Sequence, residues 1–401
     1  MTKVRVAVVN SHPVQYFAPL YAFLNADPSI EVTALYLSDY SLRGARDEGF
    51  GTSFAWDVDL LQGYPHQFVG SVTERSPRIG EFFSLVAPEI WCTVRQGGFD
   101  ALWLHGHSYA AYLIAFAAAR SIDLPVLMRA ETHLRLSRGP VKRVLRERIM
   151  RAFYERCARF LAIGSANAEF YRSLGVPDAS IFMMPYVVDN SRFMGAASMS
   201  ADERSATRKG LAASDQVPLI LYASKFQPQK RPQDLIEACA ILRDEGHTFD
   251  LVMVGSGEME AALKSLAADL TLRNVSFPGF VNQSALPRVY AAADIFVLPS
   301  EQEPWGLVVN EAMCAGLPIV TTDVVGAARD LVRNGGNGFT YRPGDIRGLA
   351  AALRPLVVDG TLRQQMGQQS RVIINTWSFE ECRVGLKAAL ASLPRRPRAT
   401  G

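Results

Sequence analysis

The chain has 401 residues, 49% of them hydrophobic, and a formal net charge of +3. That length suits two globular domains with separate cores, and so small a charge argues against a nucleic acid partner. Cys92, Cys157, Cys239, Cys314 and Cys382 lie far apart, odd in number and with no CxxC pair, which argues against a disulfide framework or a zinc site and points to a reducing cytoplasm.

Taken from the N-terminus, the apolar run 4–9 lacks a small-residue cleavage site and reads as a buried strand rather than a signal peptide. Further strands are predicted at 32–37, 101–104, 126–128 and 160–163. Residues 101–119 contain no Asp, Glu, Lys or Arg, but His105, Gly106, His107 and Ser108 divide them into a strand and a helix over about 108–120. Each part is too short to span a bilayer, so the chain is expected to be soluble or at most peripheral. A second strand series follows at 219–222, 251–254, 295–298 and 319–321. Continuous apolar strands alternating with helical patterns predict α/β structure, with parallel sheets covered on both faces. The polar stretch after 184–190 places a domain boundary near residue 188. The tail 394–401 is expected to be disordered. In doubly wound domains ligands bind at the carboxyl ends of strands, so a cleft between the two is the expected site.

The strand over 295–298 leads into Ser300-Glu-Gln-Glu303-Pro-Trp-Gly306-Leu307, and Glu311 follows. Pro304 suits the first turn of a helix. The amides of Trp305, Gly306 and Leu307 would then face outward at the positive end of the helix dipole, a site for a diphosphate. Gly306 would allow close approach. Glu303 and Glu311 would be repelled by phosphates, so their natural partners are hydroxyls, a sugar ring for one and a ribose for the other. Taken singly, either glutamate reads better as loop or helix-surface polarity; the pair in this strand–loop–helix setting is what stands out.

Glu303-x7-Glu311, with Pro-Ser before it and Glu-Ala-Met-x-Ala-Gly-x-Pro after it, resembles the E-x7-E motif of glycosyltransferase family 4. The resemblance implies a GT-B architecture: two Rossmann-like doubly wound domains facing each other across a cleft. It implies an N-terminal acceptor domain over 1–187, a C-terminal nucleotide-sugar domain over 188–377, and a helix about 378–393 packing back onto the first. Lys225 and Lys230 fall in a stretch similar to the family's diphosphate clamp, with Lys225 where Arg is usual and Arg231 where Gly is usual. Gly255 and Phe280 lie in segments that resemble its nucleotide-side loop and base-contacting strand end. Asn337-Gly-Phe and Pro343-Gly-Asp345 match its closing region. The family's Gly-Gly loop after the first strand is replaced by Ser11-His12-Pro-Val-Gln15-Tyr-Phe17. With Trp56-Asp and Leu60-Leu-x-Gly-Tyr64, that stretch resembles members in bacterial surface-polysaccharide biosynthesis.

The resemblance thus implies a retaining transferase of sugars from a nucleotide-sugar donor to a glycan or lipid-linked acceptor, with no cofactor and no metal required. His105 aligns beside the transferred sugar, the two lysines neutralise the departing diphosphate, and the leaving phosphate helps take the acceptor proton. Its plain alternative is a hydrogen-bonded strand-end histidine. His12, Gln15, Arg129, Glu131 and His133 are candidate acceptor contacts that loop polarity explains nearly as well. Two rival readings remain: a serine esterase built on Gly106-His-Ser108-Tyr-Ala110, with His247 as its one downstream histidine beside acids, and a catalytically silent sugar-nucleotide-binding protein. The first leaves the Glu303–Glu311 region unexplained; the second sits badly with intact Glu303, Glu311, Lys225 and Lys230.

Residues 138–159 read as a basic helix, carrying Arg138, Lys142, Arg143, Arg146, Arg148, Arg151, Arg156 and Arg159 against Glu147 and Glu155. A solvated helix is one reading; contact with an anionic membrane surface or a lipid-linked phosphate is the sharper one. The protein is expected to float with anionic vesicles and to be released by salt. Equal flotation with neutral vesicles would count against this.

Overall fold

The structure, a computed structural model, describes residues 3–44, 46–47, 49–70, 81–132 and 150–394. His133, most of the basic helix at 138–159 and the tail beyond Pro394 lie outside the described residues. The chain groups into two compact units: Met1–Ala45, Val58–Tyr186 and Phe379–Gly401 form the first, and Arg46–Asp57 with Val187–Ser378 form the second. Residues 46–57, expected in the N-terminal domain, thus belong to the second unit, because their polar and aromatic partners are there.

The first unit is built on seven parallel strands: β1 (Val4–Asn10), β2 (Ile30–Tyr36), β5 (His66–Phe68), β6 (Ala101–Leu104), β7 (Val126–Met128), β8 (Arg159–Ala162) and β9 (Ile181–Met183). Their order is β5-β2-β1-β6-β7-β8-β9. Chain order reverses between β1 and β6, where Val6 pairs with both Val32 and Ala101. Val6, Ala7, Val8 and Val9 are fully buried, as expected of a central strand covered on both faces. The uncharged stretch after β6 forms a 12-residue helix, Ala110–Ser121. No helix among the described residues is long and apolar enough to cross a membrane.

The second unit repeats the plan with β10 (Leu219–Ala223), β11 (Asp250–Val254), β12 (Val275–Gly279), β13 (Ile295–Leu298), β14 (Ile319–Thr322) and β15 (Gly338–Tyr341). The order is β12-β11-β10-β13-β14-β15, all parallel, with reversal between β10 and β13. A two-stranded antiparallel ribbon, β3 (Arg46–Asp47) with β4 (Thr52–Ser53), accompanies this unit. The sheet edges β5, β9 and β15 are absent from the sequence expectation. They are short, and β15 opens on Gly338, which reads as a turn. A Cβ there would lie 1.9 Å from the Ile319 carbonyl oxygen, so the glycine serves strand packing.

The C-terminal helix, Phe379–Ala391, is part of the first unit. Gly385 lets it approach β9 so closely that a Cβ would sit 1.9 Å from the Met183 carbonyl oxygen. Arg383 and Lys387 both reach Asp27, at 2.7 and 3.0 Å. Hydrogen bonds from Ser29 first, then from these cations, hold the Asp27 carboxyl well below its ordinary 3.8. A depressed folded value means the stabilisation is complete above the unfolded value and fades as pH falls through the folded one. Asp27→Asn is therefore expected to lower Tm by about 2 °C at pH 7. The gap from wild type should narrow as pH drops below about 4, which thermal denaturation at both pH values would check.

Candidate functional site

At the reversal between β10 and β13, neighbouring strand ends send their loops in opposite directions and leave room for a ligand. The β10 loop carries Lys225 and Lys230; the β13 loop carries Glu303. The loops are joined by their backbones, with Glu301 N–H donating to the Gln229 carbonyl at 3.0 Å. Lys230 Nζ pairs with Glu303 Oε2, both side chains largely buried. Lys225 Nζ pairs with Asp47 at 2.9 and 3.1 Å and sits 4.6 Å from the Phe50 ring centre.

Arg231, which stands where the resembled motif has glycine, has φ 50° and ψ 44° in the left-handed region. That conformation is why glycine suits the position. The cost is met by a forked contact with Asp234, at 2.7 and 3.0 Å, and another with Glu301 at 3.1 Å. Those contacts raise the guanidinium pKa further, the hydrogen bond to Asp234 leading. Arg231 thereby shapes the loop.

The helix after β13 runs Leu307–Cys314 and is capped by Gly306 at φ 94°, ψ 64°. Pro304, expected in the first helical turn, lies before the cap, because the left-handed glycine breaks the helical path. A Cβ at Gly306 would meet Glu303, Leu298 and Val325 at 3.2 Å each. Gly326 N–H donates to the Glu303 carbonyl at 3.1 Å and Ala327 N–H to the Trp305 carbonyl at 2.8 Å, which pins the loop. The Trp305 side chain turns inward, donating from Nε1 to Asn310 at 2.9 Å and stacking on Trp377 at 5.7 Å. Of the three amides expected to face outward, Gly306 and Leu307 head the helix, where N–H groups have no intrahelical partner.

Glu311 is fully buried, and the Tyr290 hydroxyl donates to its Oε2 at 2.7 Å. It is the more deeply buried member of the pair, since the Glu303 side chain keeps 12% exposure. Gly255, at φ 141°, is required because a Cβ would lie 2.0 Å from the Ser224 carbonyl oxygen, so its glycine shapes the β11 loop. Phe280 packs against Phe54 (4.2 Å, stacked), Phe50 (4.9 Å) and Trp56 (6.3 Å). The sequence reading missed Asp47, Phe50, Phe54 and Tyr290. Three aromatics within seven residues were the one available signal for the first group; nothing local marks Tyr290.

In the first unit, His105 follows β6. Its Nε2 lies 3.0 Å from the Tyr21 hydroxyl, and its ring packs on Phe17 (4.3 Å) and Trp103 (5.1 Å). Burial, then the Arg129 charge, push its pKa well below the ordinary 6.5, so it is a neutral imidazole at neutral pH. Arg129, expected to touch the acceptor, is instead 1% exposed. Its Nη2 donates to the Pro185 carbonyl at 3.1 Å, and its charge lies over Tyr186 (5.0 Å) and Phe17 (5.3 Å). Its Nε and Nη1 are buried without a hydrogen-bond partner among the described residues. Glu131 is exposed and accepts from Tyr186 at 2.7 Å. His12 is half-buried beside Ser11 at 3.0 Å, and Gln15 is half-buried three residues on.

Ser108 is exposed, and among the described residues no histidine bonds to it. His247, its proposed helper, belongs to the other unit, 3.6 Å from Glu245. No cluster of three or more His, Cys, Asp or Glu among the described residues is arranged for a metal ion.

Residues 203–372 match the family model described as glycosyl transferases group 1, and residues 20–186 match the glycosyl transferase 4-like domain. An uncharacterised glycosyltransferase of Methanocaldococcus jannaschii is 33% identical over 167 residues, 41% of this chain and 42% of that protein. A GDP-mannose-dependent monoacylated alpha-(1-6)-phosphatidylinositol monomannoside mannosyltransferase of Corynebacterium glutamicum is 31% identical over 220 residues, 53% of this chain and 56% of that protein. The chain thus spans about half the length of these curated relatives. Anabaena HepE, solved in complex with UDP, shares the fold with a TM-score of 0.73 at 17% identity, over 98% of this chain and 100% of that one.

The lowered His105 pKa has a definite sign. Below pH 6.5 the unfolded chain binds a proton that the folded imidazole refuses, so this site's stability holds above that pH and is lost as pH falls. His105→Gln should therefore lose less Tm than wild type between pH 7 and pH 5 (about one decade and more below the ordinary histidine range). Equal losses would refute the assignment.

Proposed function

The chain belongs to the group 1, family 4-like glycosyltransferases, and on that premise we propose that it is a retaining enzyme moving a sugar from a nucleotide diphosphate sugar to a glycan or lipid-linked acceptor. The observation that carries this is the β13 end: a left-handed Gly306 opens a helix beside the Lys230–Glu303 pair. In the proposal the donor diphosphate lies on the Gly306 and Leu307 amides, and Lys230 and Lys225 turn to it from their carboxylates. Glu303, released from Lys230, reads sugar hydroxyls, while Glu311, oriented by Tyr290, reads the ribose.

His105, neutral and held by Tyr21, offers a hydrogen bond at the reacting sugar without competing for the acceptor proton. That proton goes to the leaving phosphate on the same face. Two lysines and the helix amides stabilise the departing charge, so no metal is required in this scheme. The acceptor reading is supported by the Corynebacterium relative, whose name gives a lipid-linked mannoside as its acceptor. A cytoplasmic enzyme working at the inner membrane face, through the basic stretch 138–159, in cell-envelope or surface-polysaccharide synthesis fits that acceptor.

A thermal-shift panel of UDP, GDP, ADP and dTDP with their sugars tests the donor side. One nucleotide at about a hundredfold excess over its Kd should raise Tm by about 5 °C. Glu311→Ala should abolish the rise and Lys230→Met reduce it. Stabilisation by none of them would overturn the proposal, as would labelling of Ser108 by a serine-directed fluorophosphonate with loss of transfer.

A further inference from the structure

Residues 46–57 group with the second unit, and Asp47, Phe50, Phe54, Ala55 and Asp57 each contact a loop assigned above to the donor or its immediate continuation. Asp47 holds Lys225, on the β10 loop, at 2.9 and 3.1 Å. The Phe50 carbonyl accepts from Ser256 Oγ, on the β11 loop, at 2.7 Å. Beyond β12, Phe54 stacks on Phe280 at 4.2 Å and 30°. Asn282 donates to the Ala55 carbonyl at 2.8 Å, and Ser284 N–H donates to Asp57 at 2.9 Å. The fit at Lys225 is close: a Cβ on Gly49 would lie 2.7 Å from its Cδ.

The chemistry of these contacts mirrors that of a nucleoside diphosphate. A carboxylate sits on the ammonium that would take a phosphate, and a flat ring lies on the ring that would take a base. One ammonium cannot serve Asp47 and a diphosphate at full strength, since the two anions repel at contact distance. Phe54 covers one face of Phe280, so a base stacking on that face would have to displace it. The Lys225 and Asp47 side chains keep 32% and 23% exposure, so water reaches the pair and screens part of its attraction.

We infer that residues 46–57 are a strap competing with the donor: Asp47 holds Lys225, Phe54 lies on Phe280, and the nucleotide displaces Asp47 and Phe54 together. The inference rests on the donor reading of this unit. It makes donor affinity a net quantity, lowered by the strap, and gives the enzyme a donor-dependent change in an aromatic segment.

Titration calorimetry of wild type and Asp47→Asn with UDP, GDP, ADP and dTDP tests it. The nucleotide that wild type binds should bind the variant about fivefold more tightly. Equal or weaker binding by the variant would overturn the strap and leave the donor reading standing. Binding of no nucleotide by either protein would overturn both. Wild type alone gives a second measurement: saturating nucleotide should accelerate chymotryptic cleavage after Phe50, Phe54 or Trp56, mapped by mass spectrometry. Protection of these bonds would overturn the strap.

Discussion

The turn at Gly306 is the constraint on which the donor side depends. At φ 94° Gly306 turns the loop after β13 directly into a helix beginning at Leu307, a path that an L side chain resists. The position is tight as well as left-handed, with three side chains placed to meet any added Cβ. Because the turn is fixed, Glu303 is held over the β10 loop and the first helical amides are presented together. The neighbouring helix start at Gly326 and Ala327 bonds the same loop from behind. The geometry proposed to hold the diphosphate therefore arises from backbone, and side chains are added to it.

Charge in the second unit is arranged in exchangeable pairs. Lys230 and Lys225 each hold a carboxylate, so neither ammonium stands in a half-buried site without compensation. In the proposed reading a diphosphate would replace these partners, and its binding energy would be a difference between two sets of ion pairs. Glu311 differs: it is fully buried and held by the neutral Tyr290 hydroxyl, where Glu303 is held by a cation. The two glutamates thus have different partners despite their common motif.

The first unit solves another problem, that of a buried cation. The Arg129 guanidinium lies among Phe17, Trp103 and Tyr186 with carbonyl contacts to the chain at 184–185. Aromatic faces compensate part of its lost hydration, and its field adds to burial in keeping His105 unprotonated. A neutral histidine suits hydrogen bonding to hydroxyls, where a charged one would draw phosphate.

Much of this architecture was written locally. The apolar runs that became β1, β6, β10, β11 and β13, the Glu303-x7-Glu311 spacing and the lysines of the β10 loop are short-range patterns, and burial on both sheet faces makes such runs legible. The sequence could also place Arg231 at a glycine's position, though not say why that was tolerated. Tertiary structure alone decided the partners: Asp47 for Lys225, Tyr290 for Glu311, Tyr21 for His105, and the burial of Arg129. Each joins residues distant in the chain, so no periodicity or spacing encodes it. Residues 46–57 show the same limit, since their membership of the second unit follows from contacts made some 180 to 230 residues away. Local sequence determines which elements form because their burial pattern is local; which charges and rings meet is settled only when the sheets bring distant loops together.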